Sequence, residues 1–314
     1  MVTFRINQMK SIGNFKGRSA YIYGIAILSM LFWGMSFVWT TIVFRYYPPI
    51  TTVFLRLIIS CLILFGGIFL FSKMEKIQRK DIKIFLVSAG FNPFLYFLGE
   101  SYGLKMSSST ISAVVIATIP LFTPIVAYYT LKERLTKLNI AGMFISFAGI
   151  LVMIINLNLT LNASPLGILL LLFAVATAVM YSIFLKKLTT RYNAITIIAV
   201  QNLIGAIYFL PLFAYLEWES FVSIKPDFTL VSSLLALAVF CSTIAYVFFT
   251  MATRELGVNK TTVFSNLIPV FTAVFSYFIL GELFTGQKLL GMAVVILGLY
   301  LSQIKKSTPV VNYG

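Results

Sequence analysis

Apolar residues run through this chain in long blocks, separated by short charged or turn-forming stretches. Ten blocks stand out, at about 20–44, 48–71, 82–103, 107–130, 136–155, 164–185, 193–216, 228–252, 260–280 and 284–303. Each is near the roughly 20 residues that an α-helix needs to cross the hydrocarbon layer of a bilayer. Hydrocarbon offers the backbone no hydrogen-bond partner, so a crossing segment must satisfy its own amides, as a helix does. The short alternating segments of a membrane β-barrel are absent. The pattern predicts an all-α integral membrane protein with ten transmembrane helices.

Composition agrees with that solvent. Of 314 residues 60% are hydrophobic and 11% charged, too few charges to cover a water-soluble surface of this size. The net charge of +15 raises nucleic acid as a partner, but its distribution argues otherwise. With the N-terminus inside, the inner ends of the spans hold Arg5, Lys10, Lys16 and Arg18; Lys73, Lys76, Arg79, Lys80 and Lys83; Lys132, Arg134 and Lys137; Lys186, Lys187 and Arg191; Arg254 and Lys260; and Lys305 and Lys306. The outer ends hold only Arg45, Lys105, Lys225 and Lys288. This bias is the positive-inside rule. It predicts both termini in the cytoplasm, with basic tails at 1–19 and 304–314, and a lipid bilayer rather than nucleic acid as the surroundings. The first 19 residues lack the apolar core of a cleaved signal. Cys61 and Cys241 both fall inside spans, as small buried hydrophobes rather than a disulfide or metal pair.

The stretch IPLFTP at Ile119–Pro124 nearly returns as IPVFTA at Ile268–Ala273. Sliding the chain by 149 positions lays Leu104–Leu151 over Thr253–Tyr300 without a gap, and the identities include Pro120/Pro269, Thr123/Thr272, Glu133/Glu282, Gly142/Gly291 and Gly149/Gly298. Apolar composition would align Leu with Ile, but it would not bring Pro, Thr, Glu and Gly into register together. The chain therefore reads as a duplication, with five-helix halves at 20–155 and 164–303. Five is odd, so the second half enters the membrane from the other side and the repeat is inverted. Such repeats flank a midplane site in many secondary transporters. Pro120 and Pro269 each remove a donor and free the carbonyl four residues earlier, at Ile116 and Ser265, and bare backbone at that depth belongs beside protein or a water-filled cavity.

These residues resemble the EamA-like branch of the drug/metabolite transporter superfamily. In each half the run is Pro, Phe-Thr, a Glu in the turn and two glycines in the next helix; the first span adds WGMSF at Trp33–Phe37, followed by Pro49 and Arg56. A lysine that many relatives carry after the WG motif is replaced by Thr40 and Thr41. The resemblance implies a central cavity lined by helices 1, 3, 4, 6, 8 and 9 and their neighbours. It also implies transport of small metabolites by alternating access, with export of amino acids or related compounds ahead of a sugar or nucleotide-sugar carrier.

Chemistry inside the spans is sparse. Glu100, in YFLGESYG, is the only carboxylate expected within the membrane, where an ionisable group faces a cavity or a partner. Arg56 lies at a similar depth, and the two are expected to interact directly or through water. Glu100 is a candidate for a proton or a substrate amine, with protons as the coupling ion; Arg56 is a structural clamp or an anion anchor. Trp33, Ser36, Tyr96, Thr177, Tyr181, Tyr246 and Asn266 are the further cavity candidates. Glu133 and Glu282 read as caps of the helices that follow them, near Thr136 and Thr285. The seven-residue spacing of Gly142/Gly149 and Gly291/Gly298 reads as close helix packing. A channel or a structural membrane protein is the competing non-carrier reading. An enzyme is not expected: the chain has no histidine, only two cysteines, no clustered carboxylates and no GxxxxGK phosphate loop, so no metal or other cofactor is expected either. Oligomeric state is not encoded in any of these features.

Overall fold

The computed structural model describes residues 2–71, 74–123, 126, 137–154, 163–283 and 285–303. Among them every regular element is helical. Numbered by chain order, the helices are α1 Val2–Val43, α2 Pro49–Phe71, α3 Arg79–Lys105, α4 Ser109–Thr123 and α5 Lys137–Ile154 in the first half. The second half holds α6 Pro165–Thr189, α7 Ala194–Ser223, α8 Phe228–Leu256, α9 beginning at Val258 and ending at Leu280, and α10 Gly286–Gln303.

Seven helical stretches are long and apolar enough to cross a bilayer. The other three, Ser109–Thr123, Ile140–Met153 and Gly286–Gly298, are shorter apolar helices. Ten full-length crossings are thus a stronger statement than these lengths support. Three of the expected spans, 107–130, 136–155 and 284–303, run partly outside the described residues.

Among the described residues, long-range hydrogen bonds tie turns together at the two ends of α2. One face brings the segment after α2 against the α6–α7 turn. There Asp81, 1% exposed, pairs with Arg191 and accepts the Tyr192 hydroxyl at 2.7 Å, while Gln78 N–H donates to Tyr192 Oη at 3.1 Å. This is the basic face of the sequence pattern. The opposite face joins the α1–α2 turn to the ends of α7 and α8: Glu217 accepts the Thr51 N–H at 2.6 Å, and the Tyr46 hydroxyl donates to Asp227 at 2.7 Å. Asp227 is also the N-cap of α8, accepting the Leu230 N–H at 2.7 Å.

The repeated glycines lie where α5 meets α10. A Cβ on Gly149 would stand 2.8 Å from the Gly291 carbonyl oxygen, and one on Gly298 would stand 2.7 Å from that of Gly142. Between them the Ser146 hydroxyl donates to the Val295 carbonyl at 3.0 Å, and Gln287 Nε2 donates to the Val152 carbonyl at 2.7 Å. The start of each helix therefore meets the end of the other, and equivalent positions meet at the middle. The two equivalent helices are antiparallel and touch through backbone.

Both repeated prolines mark broken helices. Before Pro120 the ladder tightens, Thr118 N–H donating to the Val115 carbonyl and Leu121 N–H to that of Thr118. Before Pro269 a 3-10 stretch, Phe264–Leu267, intervenes, and Pro269 starts the next α-helical piece, where a missing N–H costs nothing. α3 breaks as well: Asn92, before Pro93, has φ/ψ of −144°/120°, the extended backbone that a following proline favours.

Candidate functional site

These breaks surround a cavity with walls from seven helices. α1 supplies Trp33, Ser36 and Phe37; α2 supplies Arg56; α3 supplies Asn92, Tyr96, Phe97 and Glu100. Ile116 and Ile119 come from α4, Ala178, Tyr181, Ser182 and Leu185 from α6, Tyr246, Phe249 and Thr253 from α8, and Val258, Thr262, Ser265 and Ile268 from α9. Ile116 and Ser265, four residues before the repeated prolines, are both in the wall, one from each half.

Close packing of α1 on α9 sets one side. A Cβ on Gly34 would lie 2.6 Å from Phe271 Cβ, and the Thr272 hydroxyl donates to the Gly34 carbonyl at 3.0 Å. The glycine of WGMSF thus brings two backbones together and leaves Trp33 at the cavity, with Nε1 donating to the Cys241 carbonyl at 3.3 Å. Its ring stands 5.0 Å from Tyr246 and 4.9 Å from Phe249, centroid to centroid, an aromatic corner of tilted rings.

Arg56 and Glu100 share this cavity but form no direct ion pair. The Glu100 carboxylate accepts the Tyr96 hydroxyl at 2.8 Å. Arg56 is 2% exposed; its Nε donates to Ser242 Oγ at 2.8 Å and its guanidinium carbon lies 4.6 Å from the centre of the Phe97 ring. Asn202 Nδ2 braces this arrangement, donating to Ser60 Oγ at 2.8 Å and to the Ser242 carbonyl at 3.2 Å. Nε and one face of the guanidinium are thereby occupied, and among the described residues no carboxylate lies at ion-pair distance from it. A buried cation with no carboxylate in direct contact is costly to hold, so this edge of the cavity is suited to an anionic group.

Of the sequence candidates, Trp33, Ser36, Tyr96, Glu100, Tyr181 and Tyr246 meet at the cavity, together with Arg56. Thr177 does not: its hydroxyl turns back to the Ala174 carbonyl at 2.8 Å within its own helix. Asn266 is also outside the wall, and its Oδ1 is buried without a hydrogen-bond partner among the described residues; Ser265, one residue earlier, takes the cavity position, on the same helical face as Val258 and Thr262. Sequence reasoning missed Asn92, which accepts the Tyr246 hydroxyl at 3.3 Å, although the Asn-Pro pair inside an apolar block signals a break. It missed Phe97, Phe249 and Thr253 as well, for which composition gives no signal. Thr253 Oγ1 is buried and unpartnered among the described residues.

Glu282 caps a helix, but not the one that follows it. Its carboxylate accepts the Ser109 N–H at 3.0 Å and the Thr110 hydroxyl at 2.6 Å, at the start of α4 in the other half. Glu133 lies outside the described residues.

The family model described as the EamA-like transporter family matches residues 20–155 and 165–303. An uncharacterized transporter of Archaeoglobus fulgidus is 28% identical over 278 residues, 88% of this chain and 96% of that protein. The uncharacterized transporter YetK of Bacillus subtilis is 26% identical over 300 residues, 94% and 89%. A probable amino-acid metabolite efflux pump of Salmonella typhimurium is 25% identical over 288 residues, 88% and 93%. A crystal structure at 16% identity, covering 90% of this chain and 98% of that one with a TM-score of 0.68, shares the fold.

Proposed function

Because the chain belongs to the EamA-like transporter family, we propose that its cavity carries small metabolites across the cell membrane by alternating access, as an exporter of amino acids or related compounds. The observation that carries the reading is the cavity itself. One braced guanidinium outside any direct ion pair and one carboxylate stand among aromatic walls, a setting for a small molecule with a charged end and an apolar body. In this reading Arg56 holds a carboxylate, Glu100 takes an amine or a proton, and Trp33, Tyr96, Tyr181 and Tyr246 enclose the rest. Ser36 and the unpartnered Thr253 hydroxyl add polar contacts. The name of the Salmonella relative supports the substrate class and the direction of transport.

Alternation needs two halves that can exchange roles. The antiparallel crossing of α5 and α10 supports five-helix repeats of opposite orientation, spanning 20–155 and 164–303 between cytoplasmic tails. The basic face then lies inside. The test is a flux screen in proteoliposomes, with mixtures of amino acids loaded or offered outside. Flux of an amino acid is expected, and Arg56→Gln should cut it at least tenfold for substrates that bear a carboxylate. Flux equal to that of protein-free vesicles for every compound would overturn the reading.

A further inference from the structure

Where α8 passes Arg56, its backbone ladder widens. At the end of the π-helical stretch Leu237–Ala245 the Tyr246 N–H donates to the Thr243 carbonyl, not to that of Ser242, its partner in a regular α-helix. Three carbonyls of this stretch accept side chains. That of Ala238 takes the Thr243 hydroxyl at 2.8 Å, that of Cys241 takes Trp33 Nε1–H at 3.3 Å, and that of Ser242 takes Asn202 Nδ2–H at 3.2 Å. α1 and α7 therefore dock on one widened turn, and α2 joins them where Arg56 Nε donates to the Ser242 hydroxyl at 2.8 Å.

Asn202 also starts a chain of hydrogen bonds whose direction the geometry fixes. A carbonyl only accepts, so the Asn202 group facing Ser242 is the amide nitrogen, and it donates as well to Ser60 Oγ at 2.8 Å. The single Thr243 hydroxyl proton is already given to Ala238, so Ser60 is the donor in the 2.7 Å contact between the two hydroxyls. Ser60 stands one helical turn after Arg56 on α2. Asn202 thus ties the helix that carries Arg56 to the residue that orients it. Ser60, Asn202, Ser242 and Thr243 are all buried, and none is in the cavity wall. A buried amide is costly unless its donors are used, and these are used on the two elements that hold the guanidinium.

We propose that Asn202 is a positioning residue of the carrier: by holding Ser60 of α2 and Ser242 of α8 together, it aims the two Nη groups of Arg56 at the substrate's carboxylate. The proposal rests on the reading above, in which Arg56 takes that carboxylate. A guanidinium recognises a carboxylate best as a rigid fork with two parallel N–H donors. With Nε on Ser242 and one face against Phe97, the Nη edge is the part of the fork left for a ligand. Among the described residues neither Nη nitrogen has a hydrogen-bond partner. An arginine free to swing would lose side-chain freedom each time it bound, and its affinity would fall accordingly.

Hydrogen exchange at the Arg56 Nε–H reads this geometry without a substrate. It is followed by NMR on the full chain with isotopically labelled arginine, the Arg56 signal being the one lost in Arg56→Gln. Asn202→Leu keeps the branched shape, removes the donors and should quicken the exchange about tenfold. Ser60→Ala, which removes one of the two acceptors, should quicken it about threefold and stands in if Asn202→Leu does not fold. In proteoliposomes offered each of the common amino acids in turn, Asn202→Leu should raise the concentration for half-maximal flux about tenfold and keep the maximal rate within about threefold; a merely structural loss would lower the maximal rate alone. Unchanged exchange in folded Asn202→Leu and Ser60→Ala proteins would overturn the positioning role and leave the carrier intact. Faster exchange with an unchanged half-maximal concentration would overturn its link to the substrate. A parent chain that moves no amino acid would instead overturn the carrier reading and with it the substrate half of the proposal, while the exchange rates still decide whether Asn202 sets Arg56.

Discussion

Glu100 and Arg56 lie in one cavity without pairing, and that separation decides what each can do. A carboxylate held by the Tyr96 hydroxyl can still accept a proton or an amine, whereas one locked to a guanidinium could not do so freely. Glu100→Gln is therefore expected to abolish the pH dependence of transport; a variant whose flux follows pH as the parent does would remove the proton role. Asp227 works at the surface. The Leu230 N–H, and next the Tyr46 hydroxyl, hold its carboxyl below the ordinary value. A depressed folded value means the stabilisation is present above the unfolded value near 3.9 and is lost as pH falls through the folded one. Hydrogen exchange at the first turn of α8 should therefore quicken only in strongly acidic buffer, and in Asp227→Asn the acid-dependent part should vanish. Placement at the cavity was legible in the sequence where one position carries an unusual cost: Glu100 within a span, or the residue four before each proline. It was not legible for Thr177, whose hydroxyl satisfies itself on its own helix, or for Asn266, one residue off the wall.

Among the elements, the α5–α10 crossing admits no side chain. A Cβ on Gly298 would stand 2.5 Å from the Ser146 amide nitrogen, which is backbone and cannot swing aside. Gly298→Ala should cost about 1–3 kcal/mol by overpacking, read as a lower melting temperature in detergent, while Gly66→Ala, where nothing lies within 4 Å, should be near neutral. The seven-residue glycine spacing made a packing face legible in the sequence, but not its partner. The same holds for Glu282: a Glu before a helix suggests a local cap, and only the folded chain brings Ser109, 173 positions away, into reach. Long-range caps leave no local pattern. The break in α8 was less legible still, since its Leu237–Ala245 stretch widens to a π-helix without a proline or glycine.

For the whole molecule, the proposed inverted duplication makes a geometric demand. Single thiols placed at residues 2 and 313 should both label from the cytoplasmic side, and thiols in the Glu133 and Glu282 turns should label from opposite sides. Tails on different sides, or both turns on one, would dismantle the alternating carrier. At this scale most of the architecture could be read beforehand, because lipid forces each crossing to be long and apolar, and translocation biases the cations. What could not be read is which helices line the centre and how far each block stays helical across the bilayer.

Position 142 meets 298 and position 149 meets 291, each glycine finding the other's mate. That reciprocity is the signature of an interface between two identical subunits related by a two-fold axis. A single five-helix chain would possess both sides of this contact, and could assemble as a two-fold pair with a copy of itself inserted the other way up. Carrying both copies in one polypeptide makes their pairing independent of concentration and lets the two sides of the contact differ in sequence.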